Sequence, residues 1–132
     1  MSIATNFADP YNARVRELFA DTSHAGTVTG GIGVANDDQG VSVAMTASLA
    51  DQRIETLCYR VRGCPHSIAA CEAIAREIEG IELSELENFS VAELMQSLAV
   101  PAAKSGRILA LEDTVRKLGT ALRAVQSPVE SD

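Results

Sequence analysis

The 132-residue chain has no tryptophan and only two tyrosines and three phenylalanines, so it is poorly supplied with rings on which bases or sugars stack. Cations are scarce as well. Eleven Lys and Arg stand against 18 Asp and Glu, a net charge of -7, which makes phosphate backbones and anionic membrane surfaces poor partners. Apolar runs last only a few residues, too short to span a bilayer. Met1 to Tyr11 lacks the basic start and apolar stretch of a signal peptide, so a cytoplasmic, reducing setting is expected. Cysteine is limited to Cys58, Cys64 and Cys71. Their odd number and their spacing match no CxxC or zinc-knuckle pattern.

What remains is an ordinary globular composition, 46% apolar and 22% charged. A chain of this length builds one core without a disulfide framework or a structural metal. The expectation is a single domain over residues 1–126 and a disordered tail over 127–132. Pro10 opens a helical pattern with Tyr11, Val15, Leu18 and Phe19 on one face. From Gly26 the period drops to two. Val28, Gly30, Ile32 and Val34 alternate with small or polar residues, and Asn36 to Gly40 reads as a turn. Val41, Val43, Met45, Ala47 and Leu49 predict a half-buried strand. After a turn at Asp51 and Gln52, Arg53 to Arg62 predicts a third strand with Leu57, Tyr59 and Val61 on one face. Connections this short make an antiparallel meander.

After Gly63 the pattern is helical. Cys64 stands at the N-cap position, Pro65 suits the first helical position, and Ile68, Cys71, Ile74, Ala75 and Ile78 form a stripe that stops at Gly80. Ser90 and Glu93 read as a capping box, with Phe89 and Leu94 placed as a staple across it. The last helix carries Ile108, Leu111, Val115, Leu118, Leu122 and Val125 at intervals of three and four. Strands followed by helices predict an α+β fold, a three-stranded antiparallel sheet with helices packed on one face.

Few residues carry chemistry. Gly30-Gly31-Ile32-Gly33 lacks the third glycine, following helix and lysine of a phosphate cradle, and reads as an edge strand with a bulge. A thiol at a helix start faces unpaired amides and the positive end of the dipole, both favouring thiolate, so Cys64 is either a reactive group or a small cap. Cys71 falls on the apolar stripe and reads as core. His66 is a metal ligand or a decoration of an exposed first turn, and His24 has no partner in sequence. Asp37 and Asp38 suit turn chemistry. The seven glutamates between Glu72 and Glu93 read as a solvated face or as a surface for a basic partner. No Ser-His-Asp order or nucleophile elbow is present, and no enzymatic activity is expected.

In this context Gly63-Cys64-Pro65-His66-Ser67-Ile68-Ala69-Ala70, placed after a third strand, resembles the helix start of the U-type iron–sulfur cluster assembly scaffolds (IscU and the NifU N-terminal domain). The resemblance runs from Tyr11 to about Leu122. Ser23-His24-Ala25-Gly26 is similar to the family's His/Asn-x-Gly segment. Val100-Pro101-Ala102-Ala103-Lys104 is similar to its Leu-Pro-Pro-Val-Lys chaperone segment, and Ile108 to Asp113 to the start of its last helix. The implied fold is SufE/NifU-like.

The family's three cysteines are only partly present. Cys64 is the middle one, Asp38 stands within one residue of the first, and Gly106 or Arg107 replaces the third. Arginine cannot ligate iron and disfavours a neighbouring cation. The resemblance implies Cys64 as sulfur acceptor, Cys64, Asp38 and His66 as metal donors, and Val100, Pro101 and Lys104 as a partner segment. It leaves open an iron–sulfur cluster, an iron or zinc ion, or no metal. Implied partners are a cysteine desulfurase, an Hsp70-type chaperone, and a second copy whose donors would add to Cys64. The expected function is scaffold-like iron–sulfur cluster assembly or sulfur acceptance. The alternatives are a ligand-depleted binding or regulatory module and a metal-free persulfide carrier.

Overall fold

The computed structural model describes residues 11–126; Pro10 and the 127–132 tail lie outside them. Helix α1 (Ala13–Ala20) begins at Asn12, whose side chain accepts the Val15 amide at 2.9 Å. That bond satisfies one of the free amides of the first turn. Val15 and Leu18 are buried, whereas Phe19, expected beside them, is 47% exposed in the last turn of its helix.

The strands are β1 (Ile32–Asp38), β2 (Val41–Ala50) and β3 (Arg53–Arg62), antiparallel and adjacent in that order. Gln39 and Gly40 alone connect β1 to β2, with φ of 55° and 80°, the signs that a tight I′ hairpin demands. The turn is therefore narrower than its polar residues suggest. Asn36, Asp37 and Asp38 belong to β1, opposite Val43, Ser42 and Val41. The strand also starts later than its alternation suggests. Gly30 at φ 77° interrupts the extended run, and the Val28 amide donates to the Thr46 hydroxyl at 2.8 Å.

On β2, Val41, Val43, Met45 and Ala47 are buried while the intervening residues are half-buried, so one sheet face carries the core. Helix α2 (Pro65–Ile78) packs on β3 and α1, and helix α4 (Ser105–Gln126) on β1 and β2. Burial on α2 is wider than a stripe. Between His66 and Ala75 only Ile68 is not fully buried, because Ala69, Ala70, Ala73 and Ala75 let neighbours approach from several sides. On α4 the expected face is buried from Ile108 to Leu122, and Val125 in the last turn is 54% exposed.

The connector from α2 to α4 holds a 3-10 turn (Leu83–Asn88), the short helix α3 (Ala92–Ser97) and a 3-10 turn (Ala102–Lys104). The expected capping box is not formed. Val91, not Ser90, precedes α3, and its amide donates to Glu112 on α4 at 3.0 Å. The Ser90 hydroxyl accepts the Ala92 amide at 3.2 Å instead of the Glu93 amide that the box requires. Phe89 is buried and Leu94 packs against the core.

Candidate functional site

Three stretches far apart in sequence meet at one end of the sheet, because β1 ends, β2 begins and β3 ends there. A Cβ on Gly63 would lie 3.0 Å from Val41, one on Gly106 would lie 2.9 Å from the Gln39 amide oxygen, and one on Gly40 would lie 3.9 Å from the Arg107 Nε. The missing side chains thus let the hairpin tip, the α2 start and the α4 start close together.

Cys64 is the N-cap of α2, half-buried, with its Sγ 3.6 Å from the Ser67 hydroxyl. Burial pushes its thiol up, but hydrogen bonds from the Ser67 hydroxyl and amide, the Arg107 guanidinium and the His66 amide outweigh this and lower it to about 7. A substantial thiolate fraction is therefore present at neutral pH. The other two cysteines behave oppositely. Cys71 is completely buried and burial, then the Glu72 charge, pushes its thiol far up; Cys58 is raised by burial and then by Glu79 and Glu72. Of the three thiols, only Cys64 is activated.

His66 is not the exposed decoration that its place in the first turn suggests. It is fully buried with neither ring nitrogen hydrogen-bonded, and the Tyr11 ring lies 4.7 Å from it. Burial, then the Lys104 charge, lowers its basicity. The Lys104 ammonium stands 5.5 Å over the Tyr11 ring, a cation–π contact. Val100 is half-buried and Pro101 exposed, leading directly into this cation.

Cys64, His66 and Asp38 do not converge as metal donors. Among the described residues no group of three or more His, Cys, Asp or Glu side chains is gathered to hold a metal ion. Register shows why for Asp38. It pairs with Val41, which continues the β2–β3 ladder toward Gly63, so Asp38 lies two strand spacings away, about 10 Å. Asp37 and Asp38 also point to opposite faces, Asp37 toward the groove with Arg60 and Arg62 and Asp38 toward the α4 groove with Lys117. The donor set fits one thiolate beside cations better than a cluster, which needs about four soft donors.

A second polar cluster escapes sequence reading. Glu72, expected on a solvated acidic face, is completely buried. Its carboxylate accepts the Tyr59 hydroxyl at 2.9 Å, the Arg76 Nε at 3.0 Å and the His24 amide at 3.1 Å, and pairs with the His24 Nδ1 at 2.7 Å. His24 also reaches Glu79 at 3.0 Å. The cluster ties the 22–26 loop to β3 and α2, where Ala25 bridges Tyr59. Only its nucleus, His24 before a glycine, was visible in sequence.

The sequence pattern of the NifU-like N terminal domain matches residues 3–121 of the chain. Among solved structures, the N-terminal NifU-like protein of Brucella abortus superposes with a TM-score of 0.67 at 16% identity, covering 88% of this chain and 94% of that one. A candidate iron–sulfur cluster assembly scaffold for the SUF system, from Fervidobacterium islandicum AW-1, superposes at 0.63 with 13% identity over 80% and 93%. Curated protein sequences give no match.

Proposed function

The chain belongs to the NifU-like N-terminal domain family, and we propose from this that it works in iron–sulfur cluster assembly as a scaffold-like protein whose acting group is the Cys64 thiol. The observation that carries this is the selective activation of Cys64, half-exposed and lowered to about 7 while Cys58 and Cys71 are raised. In the sulfur-accepting step the Cys64 thiolate attacks the outer sulfur of a persulfide on a cysteine desulfurase. The donor S–S bond breaks, the donor cysteine leaves as thiolate, and Cys64 becomes the persulfide. No redox partner is needed.

Iron and a growing cluster are cargo in this reading. Cys64 supplies one thiolate, and a second copy or a partner must supply the rest. The Val100–Lys104 segment is the surface offered to an Hsp70-type chaperone. The chain itself catalyses no turnover.

Anaerobic incubation with a cysteine desulfurase, cysteine and ferrous iron, followed by intact mass and acid-labile sulfide assays, tests the proposal. Wild type should gain sulfur and Cys64→Ser should not. Equal sulfur in both proteins would refute it. Arg107 beside Cys64 favours a second reading, a ligand-depleted module that binds the desulfurase without taking sulfur. That reading expects no sulfur gain and unaltered capture of desulfurase by Cys64→Ser.

A further inference from the structure

We propose that the outer edge of β1 is a docking site for an extended, basic peptide segment of a partner protein, which adds to the sheet as a fourth strand. The two edges of the sheet differ. On β3 the outward backbone groups are sealed one after another. Ile54 accepts the Gly80 amide and donates to Ile81, the Leu57 amide donates to the Glu79 carboxylate, and Tyr59 donates to His24 and accepts the Gly26 amide.

On β1 they are open. The two-residue hairpin makes Asp38 and Val41 a hydrogen-bonded pair, so Asn36 and Val34 also bond to β2, while Gly33, Ala35 and Asp37 turn their N–H and C=O groups outward. All three are exposed, and the seven residues of β1 include no proline and pair with β2 without a bulge, two devices that would close an edge. Among the described residues only the Lys117 ammonium meets these groups, 3.3 Å from the Ala35 carbonyl. That carbonyl keeps a second lone pair, so a docking strand need not displace the lysine.

The groove beneath this edge decides the occupant. It holds about 740 Å³ between β1 and α4 and is lined by Val34, Ala121 and Ala124 and by the carboxylates of Asp38 and Asp113. Its cations are engaged, Arg116 with Glu112 and the Phe89 carbonyl and Lys117 with Ala35. Asp38 and Asp113 pair with no cation among the described residues. Side chains of an added strand alternate between the two faces, so every second residue enters this groove. There lysine or arginine meets the two carboxylates with its head and the apolar wall with its stem. A second copy joined β1 to β1 would instead bring the same carboxylates from both chains to one seam, each chain carrying a net charge of -7. The 127–132 segment, SPVESD, offers acids and no cation. Both are repelled where a basic strand is attracted.

The test uses the full chain and a capped peptide of alternating lysine and valine, about seven residues long to match β1. Hydrogen exchange read by NMR should slow at the amides of Gly33, Ala35 and Asp37 when this peptide is added. Ala35→Pro removes the central outward N–H at an edge position that tolerates proline, and should abolish binding. Asp38→Asn combined with Asp113→Asn leaves the backbone alone and should weaken binding about tenfold, the scale of two exposed ion pairs; it decides the matter if the proline variant fails to fold. The same peptide with glutamate for lysine, or with methylated backbone nitrogens, should not bind.

Unchanged exchange at the three amides, or equal binding of the lysine and glutamate peptides, overturns the proposal. So does protection without any peptide. Protection that grows with protein concentration and is lost in Ala35→Pro makes a second copy the occupant, and protection lost on deleting residues 127–132 makes it the chain's own segment.

Discussion

At the scale of single residues, burial and partners decide chemistry more than residue type does. Cys58, Cys64 and Cys71 are the same side chain in three environments, and only the one at a helix start beside Arg107 is lowered. Glu72 shows the converse, an ordinary carboxylate made structural by complete burial. Burial pushes it up, yet its hydrogen bonds to His24, Arg76 and Tyr59 bring it below its usual range. For His24, burial acts downward, but Glu79 and Glu72 outweigh it and raise the ring above its ordinary 6.5.

The two shifts set the pH dependence of stability. The raised histidine contributes fully below about pH 6.5, and that contribution is lost as pH rises through its folded value. The depressed carboxylate contributes fully above its unfolded value of about 4.5 and loses this as pH falls through its folded value. The melting-temperature difference between wild type and His24→Gln should therefore shrink on going from pH 6.5 to 9, whereas the depressed Cys64 thiol acts the other way in both proteins; a difference that does not change with pH would contradict the pairing. Glu72→Ala should cost roughly 3 kcal/mol because it strands buried partners, lowering Tm by about 10 °C. Beyond His24 none of this was legible in sequence, since the partners of Glu72 lie up to 49 residues away and Glu72 heads a glutamate-rich stretch that reads as a solvated face.

At the scale of elements, periodicity was enough wherever one face is buried. The bounds of β3 and the N-cap of α2 were readable because alternation and the Cys-Pro start are local signals. The β1 hairpin was misplaced because Asn36, Asp37 and Asp38 are turn formers held in a strand by cross-strand pairing with β2. The capping box failed because α3 starts one residue later, after Val91, and the Ser90 hydroxyl takes the Ala92 amide while Glu112 on another helix takes the Val91 amide. Close packing between elements makes its own prediction. On α4, a Cβ at Gly119 would lie 2.7 Å from the Leu86 Cβ, so Gly119→Ala sets a helix-propensity gain of about 1 kcal/mol against overpacking of about 1–3 kcal/mol. The clash involves a Cβ and cannot relax by rotation. Chemical denaturation should show a net loss, and a stabilised variant would mean that the 3-10 turn of Leu83–Asn88 moves freely away from α4.

At the scale of the whole molecule, the fold brings the β1–β2 tip, the α2 start and the α4 start together, and the sequence changes what they hold. The resemblance of the α2 start to a scaffold motif was legible, and the expectation that two of the family's three thiols are missing follows from that resemblance. The close approach of the three segments was not legible, because it spans the sheet end and depends on the missing side chains of Gly40, Gly63 and Gly106. Together these features make an acidic chain in which one thiol of three is lowered, the group proposed to accept sulfur. The most direct test locates that sulfur. After brief anaerobic exposure to a cysteine desulfurase and cysteine, peptide mass spectrometry should find one added sulfur atom on Cys64 and none on Cys58 or Cys71. An unmodified Cys64, or sulfur spread over all three cysteines, would contradict the account.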